Sequence, residues 1–222
     1  MDREKSAAAE DLLGEQIAKC RVIIVQGFCE QSILVWPLKR SLAGCADPVE
    51  LFPDRLINRD LDQSIERMRQ TILQPRAAGE TLCIVTHSFG DWVTRHAIAS
   101  IPDAANRVAC LVSIAPIMAA SPVAQGLRLV TGRLISEVPV MADPSQASQC
   151  AAIDESIPHL ILWGHLDIWV RPFDTSNHPR TTVAYHWATH LSIVLQPGAL
   201  RDICDFIRLH GSRHPTEHIR CE

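Results

Sequence analysis

Two periodicities alternate along the chain. Short runs rich in β-branched and aliphatic residues recur at Arg21–Val25 (RVIIV), Val49–Phe52, Leu82–Val85, Val108–Ala115 (VACLVSIA), His159–Trp163 (HLILW) and Thr181–Tyr185 (TTVAY). Between them lie stretches with apolar residues at helical spacing: Ser32–Ala43, Asp60–Leu73, Trp92–Ile101 and Val123–Val138, with a closing helix at Ala199–Leu209. Gly44 stops the first of these and Pro102 the third. Strand alternating with helix predicts an α/β domain, a mostly parallel sheet of about six strands with helices on both faces. VACLVSIA is apolar without alternation, as a strand buried on both faces requires.

The segment between the fourth and fifth strands, residues 117–157, reads as a small cap-like insertion. Its apolar stripe, Val123, Leu127, Val130, Leu134 and Val138, fits either core packing or the wall of an acyl pocket. No repeat or linker divides the chain, so residues 1–222 are expected to form a single domain.

Composition narrows the partners. Apolar residues make up 47% and charged residues 21% of the 222, the balance of an ordinary soluble enzyme. A net charge of −4 without a basic block argues against nucleic acid, because phosphate binding needs clustered Lys and Arg. The polar start MDREKSAAAEDLLGEQ lacks the apolar stretch of a signal peptide. The longest nearly apolar run, Val108–Ala120, is too short to cross a bilayer. The expectation is a cytoplasmic protein with no integral membrane segment. Eight cysteines without a CxxC pair fit buried free thiols, Cys83 and Cys110 among them. His210, His214, His218 and Cys221 suggest a metal motif by spacing, but Gly211 and Pro215 break any helix that would align them. Residues 211–222 therefore read as a polar tail. Neither a metal nor an organic cofactor is implied, and oligomeric state has no signature.

The chemistry concentrates in Cys83-Ile-Val-Thr-His-Ser-Phe-Gly-Asp-Trp92, an apolar strand running through His-Ser-x-Gly directly into a helix. That is the context of a nucleophile elbow, a strained turn that lifts a serine Oγ clear of the sheet. Ser88 is the candidate nucleophile, against the plainer reading that it caps a helix. A serine hydroxyl needs a general base, and the base an orienting acid. Gly164-His-Leu-Asp-Ile-Trp-Val-Arg-Pro172 follows the HLILW strand and offers Asp167, with Asp154 and Asp174 as competitors. His190, in the loop before the last helix, is the expected base, while His186 lies close enough to its strand to be a packing residue. The chain order Ser88, Asp167, His190 is the α/β-hydrolase order. Two backbone N–H groups would hold an oxyanion: that of Phe89, after the nucleophile, and that of Phe28, after Gly27 in the first strand's loop.

These segments resemble the lipase and esterase branch of the α/β-hydrolase superfamily, including small bacterial lipase-like and PGAP1-like hydrolases. Thr86-His-Ser-Phe-Gly-Asp-Trp-Val-Thr-Arg95 is similar to that branch's GHSMGGLVAR, VIIVQGF to its VVLVHGF, and THLSI to its GHLSL. The resemblance runs from about residue 21 to 210, with three departures: Gln26 for the usual His, Thr86 for the first Gly and Asp91 for the second. It implies a minimal version of the fold, without the two N-terminal antiparallel strands of larger relatives. The expected function is cleavage of a small-molecule carboxylic ester through an acyl-enzyme. Two alternatives stay open: a thioesterase or acyltransferase using the same triad, and a non-catalytic binding protein of the same fold, which Thr86 and Asp91 keep in view.

Overall fold

A computed structural model describes residues 20–175 and 178–211. Strands β1 (Cys20–Val25), β2 (Val49–Leu51), β3 (Thr81–His87), β4 (Cys110–Ile114), β5 (His159–Gly164) and β6 (Thr181–His186) form one sheet in the order β2-β1-β3-β4-β5-β6. Every neighbouring pair is parallel. Residues of β3 and β4 are buried throughout, which explains their unbroken apolar runs; β6, at the edge, is mostly half-exposed. Cys83 and Cys110 lie in these central strands as buried free thiols.

Parallel strands need crossovers, and helices supply them. These are α1 (Ser32–Leu42), α2 (Leu61–Leu73), α3 (Phe89–Ala99), α4 (Pro122–Thr131), α5 (Glu137–Ala142), α6 (Pro144–Ala147) and α7 (Pro197–His210). In α2 the Asp60 carboxylate caps the Gln63 N–H, and Ser64, Met68 and Ile72, four apart, form the buried stripe. Helix α2 packs on α3, and α1 on α7. The chain steps from β1 outward to β2 and then back past β1 to β3, so right-handed crossovers place α1 and α2 on opposite faces.

The predicted helix Val123–Val138 is two helices. Helix α4 ends at Thr131 because Gly132 takes φ +57°, a left-handed turn that stops the helix, and α5 starts only at Glu137. The predicted stripe is thereby split. Val138 is buried, but Val130 and Leu134 are 85% and 82% exposed. It is therefore not a continuous core stripe, since its middle faces solvent. Among the described residues, no helix is long and apolar enough to cross a membrane.

Candidate active site

After β1 the chain turns to one side of the sheet and after β3 to the other, so their two loops part at the carboxyl edge, the switch point where open α/β sheets bind ligands. Ser88 sits there on the β3–α3 turn with φ 51° and ψ −122°. A non-glycine residue so placed costs of order 1–3 kcal/mol and persists only where its surroundings impose it. The surroundings here are tight. A Cβ on Gly90 would lie 2.5 Å from the Val25 carbonyl oxygen, and one on Gly27 would lie 2.9 Å from Ser88 Cβ. Only glycines let the first-strand loop and the elbow close to this distance. The Ser88 side chain makes no capping bond to α3, which removes the plainer reading of this serine.

His190 Nε2 is 2.9 Å from Ser88 Oγ, and its Nδ1 is 2.8 Å from Asp167 Oδ2. The other Asp167 oxygen accepts the N–H groups of Trp169 and Val170, which fixes the carboxylate plane. Leu166 N–H donates to the Ala188 carbonyl, so the loops after β5 and β6 are tied together. The Trp169 ring stacks on His190 with centroids 5.8 Å apart. His190 is held below the ordinary histidine range, chiefly by burial and further by the nearby His87, against the opposing pull of Asp167. A hydroxyl bonded to a neutral imidazole whose far nitrogen faces a carboxylate can give up its proton as it attacks. The competitors lie elsewhere: His186 pairs with Asp202, and Asp154 binds Ser156 in its own turn.

The loop after β1 is braced from below. Glu30 Oε2 accepts the Gly27 N–H at 2.8 Å, and Arg59 Nη2 donates to the Gln26 and Gly27 carbonyls, each at 3.0 Å. In a trans peptide the C=O and the next N–H point opposite ways, so anchoring the Gly27 carbonyl orients the Phe28 N–H away from Arg59. Phe89, first residue of α3, has no carbonyl four residues back inside the helix to bond. Glu137 of α5 accepts the Asn58 and Arg59 N–H groups in the loop between β2 and α2, fixing the backbone from which Arg59 reaches the loop after β1.

Beneath the elbow lies a second polar cluster. Thr86 and Asp91, two of the three departures from the family segment, are partners: Thr86 Oγ1 is 3.1 Å from Asp91 Oδ1. Asp91 also accepts from Ser113 Oγ at 2.5 Å and from Arg95 Nε at 2.6 Å, and Ser113 Oγ is 2.7 Å from His159 Nε2. Asp91 therefore points into the protein interior. Arg95 also donates to the Ile117 and Gln149 carbonyls, so this cluster ties α3 to two points of the segment between β4 and β5.

Sequence reasoning singled out Ser88, Asp167, His190, Gly27 and Gly90 and missed the bracing set of Glu30, Arg59 and Glu137. Nothing in the local pattern around Arg59 or Glu137 marks them. Glu30, three residues past Gly27, was a visible charge with no visible partner. Among the described residues no group of three or more His, Cys, Asp and Glu side chains could hold a metal; His214, His218 and Cys221 lie outside them.

A parallel sheet in this order, with a strained serine after β3 and an acid and a histidine after β5 and β6, is the α/β-hydrolase fold. Lipase B of Aspergillus fumigatus superposes with a TM-score of 0.66 at 14% identity, over 92% of this chain and 56% of the lipase. A soluble variant of monoglyceride lipase from Saccharomyces cerevisiae gives 0.61 at 13% identity, over 90% and 88% of the two chains. The ydeN gene product from B. subtilis gives 0.58 at 13% identity, over 85% and 98%. The chain thus spans little more than half the length of the Aspergillus lipase. At these identities the likeness is one of fold. No protein-family model and no curated protein sequence matches the chain.

Proposed function

We propose that the chain is a serine hydrolase of carboxylic esters, on the observation that Ser88, His190 and Asp167 form a continuous relay with contacts of 2.9 and 2.8 Å at the carboxyl edge of the sheet. Ser88 Oγ attacks the ester carbonyl while His190 Nε2 takes its proton. Asp167 holds the imidazole with Nδ1–H toward itself, leaving Nε2 free to accept, and stabilises the imidazolium that forms. The Phe28 and Phe89 N–H groups hold the developing oxyanion. His190 then returns the proton to the leaving alcohol, and a water deprotonated by the same imidazole releases the acyl group from Ser88. The substrate is a small-molecule ester. The lipase and esterase resemblance of the sequence supports the ester class, and the PGAP1-like likeness rests on the quoted segments alone.

A fluorophosphonate probe tests this reading. Wild type should be labelled stoichiometrically and Ser88→Ala not at all, with the adduct on the Ser88 peptide by mass spectrometry. Labelling that survives in Ser88→Ala would sink the assignment, and no labelling of the wild type would leave a binding protein of the same fold. Matched ester and thioester substrates decide the leaving group.

A further inference from the structure

Beside the triad lies a buried pair of charges that the ester mechanism does not use. His87 and Glu30 are each 1% exposed. His87 Nδ1 is 2.9 Å from Glu30 Oε1, an ion-pair distance without good hydrogen-bond alignment, and His87 Nε2 is 2.9 Å from the backbone carbonyl oxygen of His190. Both nitrogens of the ring therefore face oxygens that can only accept. A neutral imidazole would set one lone pair against another; an imidazolium satisfies both sides. The second oxygen of Glu30 holds the Gly27 N–H, as above. One carboxylate and one imidazole thus touch the oxyanion loop, the elbow through the residue preceding Ser88, and the loop that carries His190.

We propose that Glu30 and His87 form a positioning pair for the candidate active site: the imidazolium, balanced by Glu30, holds the His190 loop and the Gly27 loop in register with Ser88. The inference rests on the hydrolase reading for its catalytic meaning, but its geometry stands without it. The groups facing His87 are Glu30, the His190 carbonyl and, at longer range, the Asp167 charge; those facing His190 are Asp167, His87 and Glu30. Burial is the largest single influence and pushes His87 down, but Glu30, the His190 carbonyl and the more distant Asp167 charge together outweigh it and raise His87 above its ordinary value. Burial alone would raise Glu30, yet His87 holds it low. The ring centroids of His87 and His190 are 5.0 Å apart. A cation at that distance opposes protonation of His190, so protonated His87 favours the neutral base, with Glu30 partly opposing.

A pH signature follows that a lone triad does not give. Activity needs His190 neutral and His87 protonated. With His190 lowered and His87 raised, the acid limb of kcat/KM should have its midpoint below the ordinary histidine value near 6.5 and the basic limb its midpoint above that value, with a plateau between the two.

Histidine ring NMR on the full chain tests the pair directly. At pH 7 the wild-type His87 ring should carry protons on both nitrogens, and in Glu30→Gln on one only. In His87→Gln, which keeps an amide donor near the His190 carbonyl, the midpoint of His190 should rise by about one pH unit. On p-nitrophenyl acetate, Glu30→Gln should lower kcat roughly tenfold or more with little change in KM, and should move the basic limb downward. A wild-type His87 ring that is neutral at pH 7 overturns the proposal, as does a His190 titration unchanged in His87→Gln. Should Glu30→Gln fail to fold, His87→Gln carries the test alone. The NMR measurement needs no turnover: a chain that hydrolyses no ester refutes the hydrolase reading, while the His190 titration still decides the pair.

Discussion

Two clusters of serine, histidine and aspartate meet the turn after β3, one through Ser88 and the other through Asp91, and their hydrogen bonds run in opposite senses. In the first, the histidine is in the middle: Ser88, then His190, then Asp167. In the second the serine is in the middle. Asp91 can only accept, so Ser113 gives it its single proton, and the remaining Ser113 lone pair accepts from His159 Nε2–H. The first serine is strained into the left-handed region at the carboxyl edge; the second lies within a strand and is fully buried. The first histidine can take a proton from its serine, whereas the second already donates one to it. Asp167 is left to orient a base, and Asp91 is occupied by the Arg95 guanidinium. Residue types alone do not make a nucleophile. The direction of the hydrogen bonds and access to substrate do.

Removing each serine should separate the clusters most widely. Ser88→Ala should lower kcat on p-nitrophenyl acetate by about 10⁴ or more, since the triad acts as a unit. Ser113→Ala should stay within roughly threefold in the same assay, because its hydroxyl cannot reach substrate. Comparable losses in both variants would erase the distinction.

Asp91→Ala should act on stability instead. It leaves Arg95 buried without its partner, and breaking such a pair by removing one member costs about 3–5 kcal/mol. Urea unfolding should show that loss, with kcat per folded molecule kept within about tenfold. A variant as stable as wild type but inactive would instead place Asp91 in the chemistry.

The smallest effect is one of pH. Burial lowers His159 from its ordinary value near 6.5 to about 4, with Asp91 only partly opposing. Its folded value lies below its unfolded one, so as pH falls the unfolded chain takes up the proton first. Stability is full above pH 6.5 and drains away between 6.5 and about 4, by about 3 kcal/mol at most. Thermal melts of wild type should show this decline. His159→Gln, which keeps a donor for Ser113 but does not titrate, should flatten it. Parallel declines would show that other groups dominate.

The order of strands and helices, the elbow and the Ser88–Asp167–His190 sequence were legible because each leaves a local mark. A doubly buried strand is apolar without alternation, an elbow demands a small residue at Gly90, and the loops that reach the carboxyl edge follow strands. Those marks lie within a few residues of the feature they announce. Other features leave none. Arg95 lies four residues from Asp91 on α3, but whether Thr86 and Asp91 were defects or partners also depended on Ser113 and His159, brought in by the pairing of β3 with β4 and of β4 with β5. Likewise Glu30 acquires its meaning only from His87, and Arg59 only from the carbonyls of Gln26 and Gly27. Buried charges are chosen by what surrounds them in space, because an unpaired one is too costly to keep. The chain's local patterns therefore determined the fold class and the three residues of the candidate triad. Which charges brace that candidate triad, and how Thr86 and Asp91 are satisfied, only the packed sheet could decide.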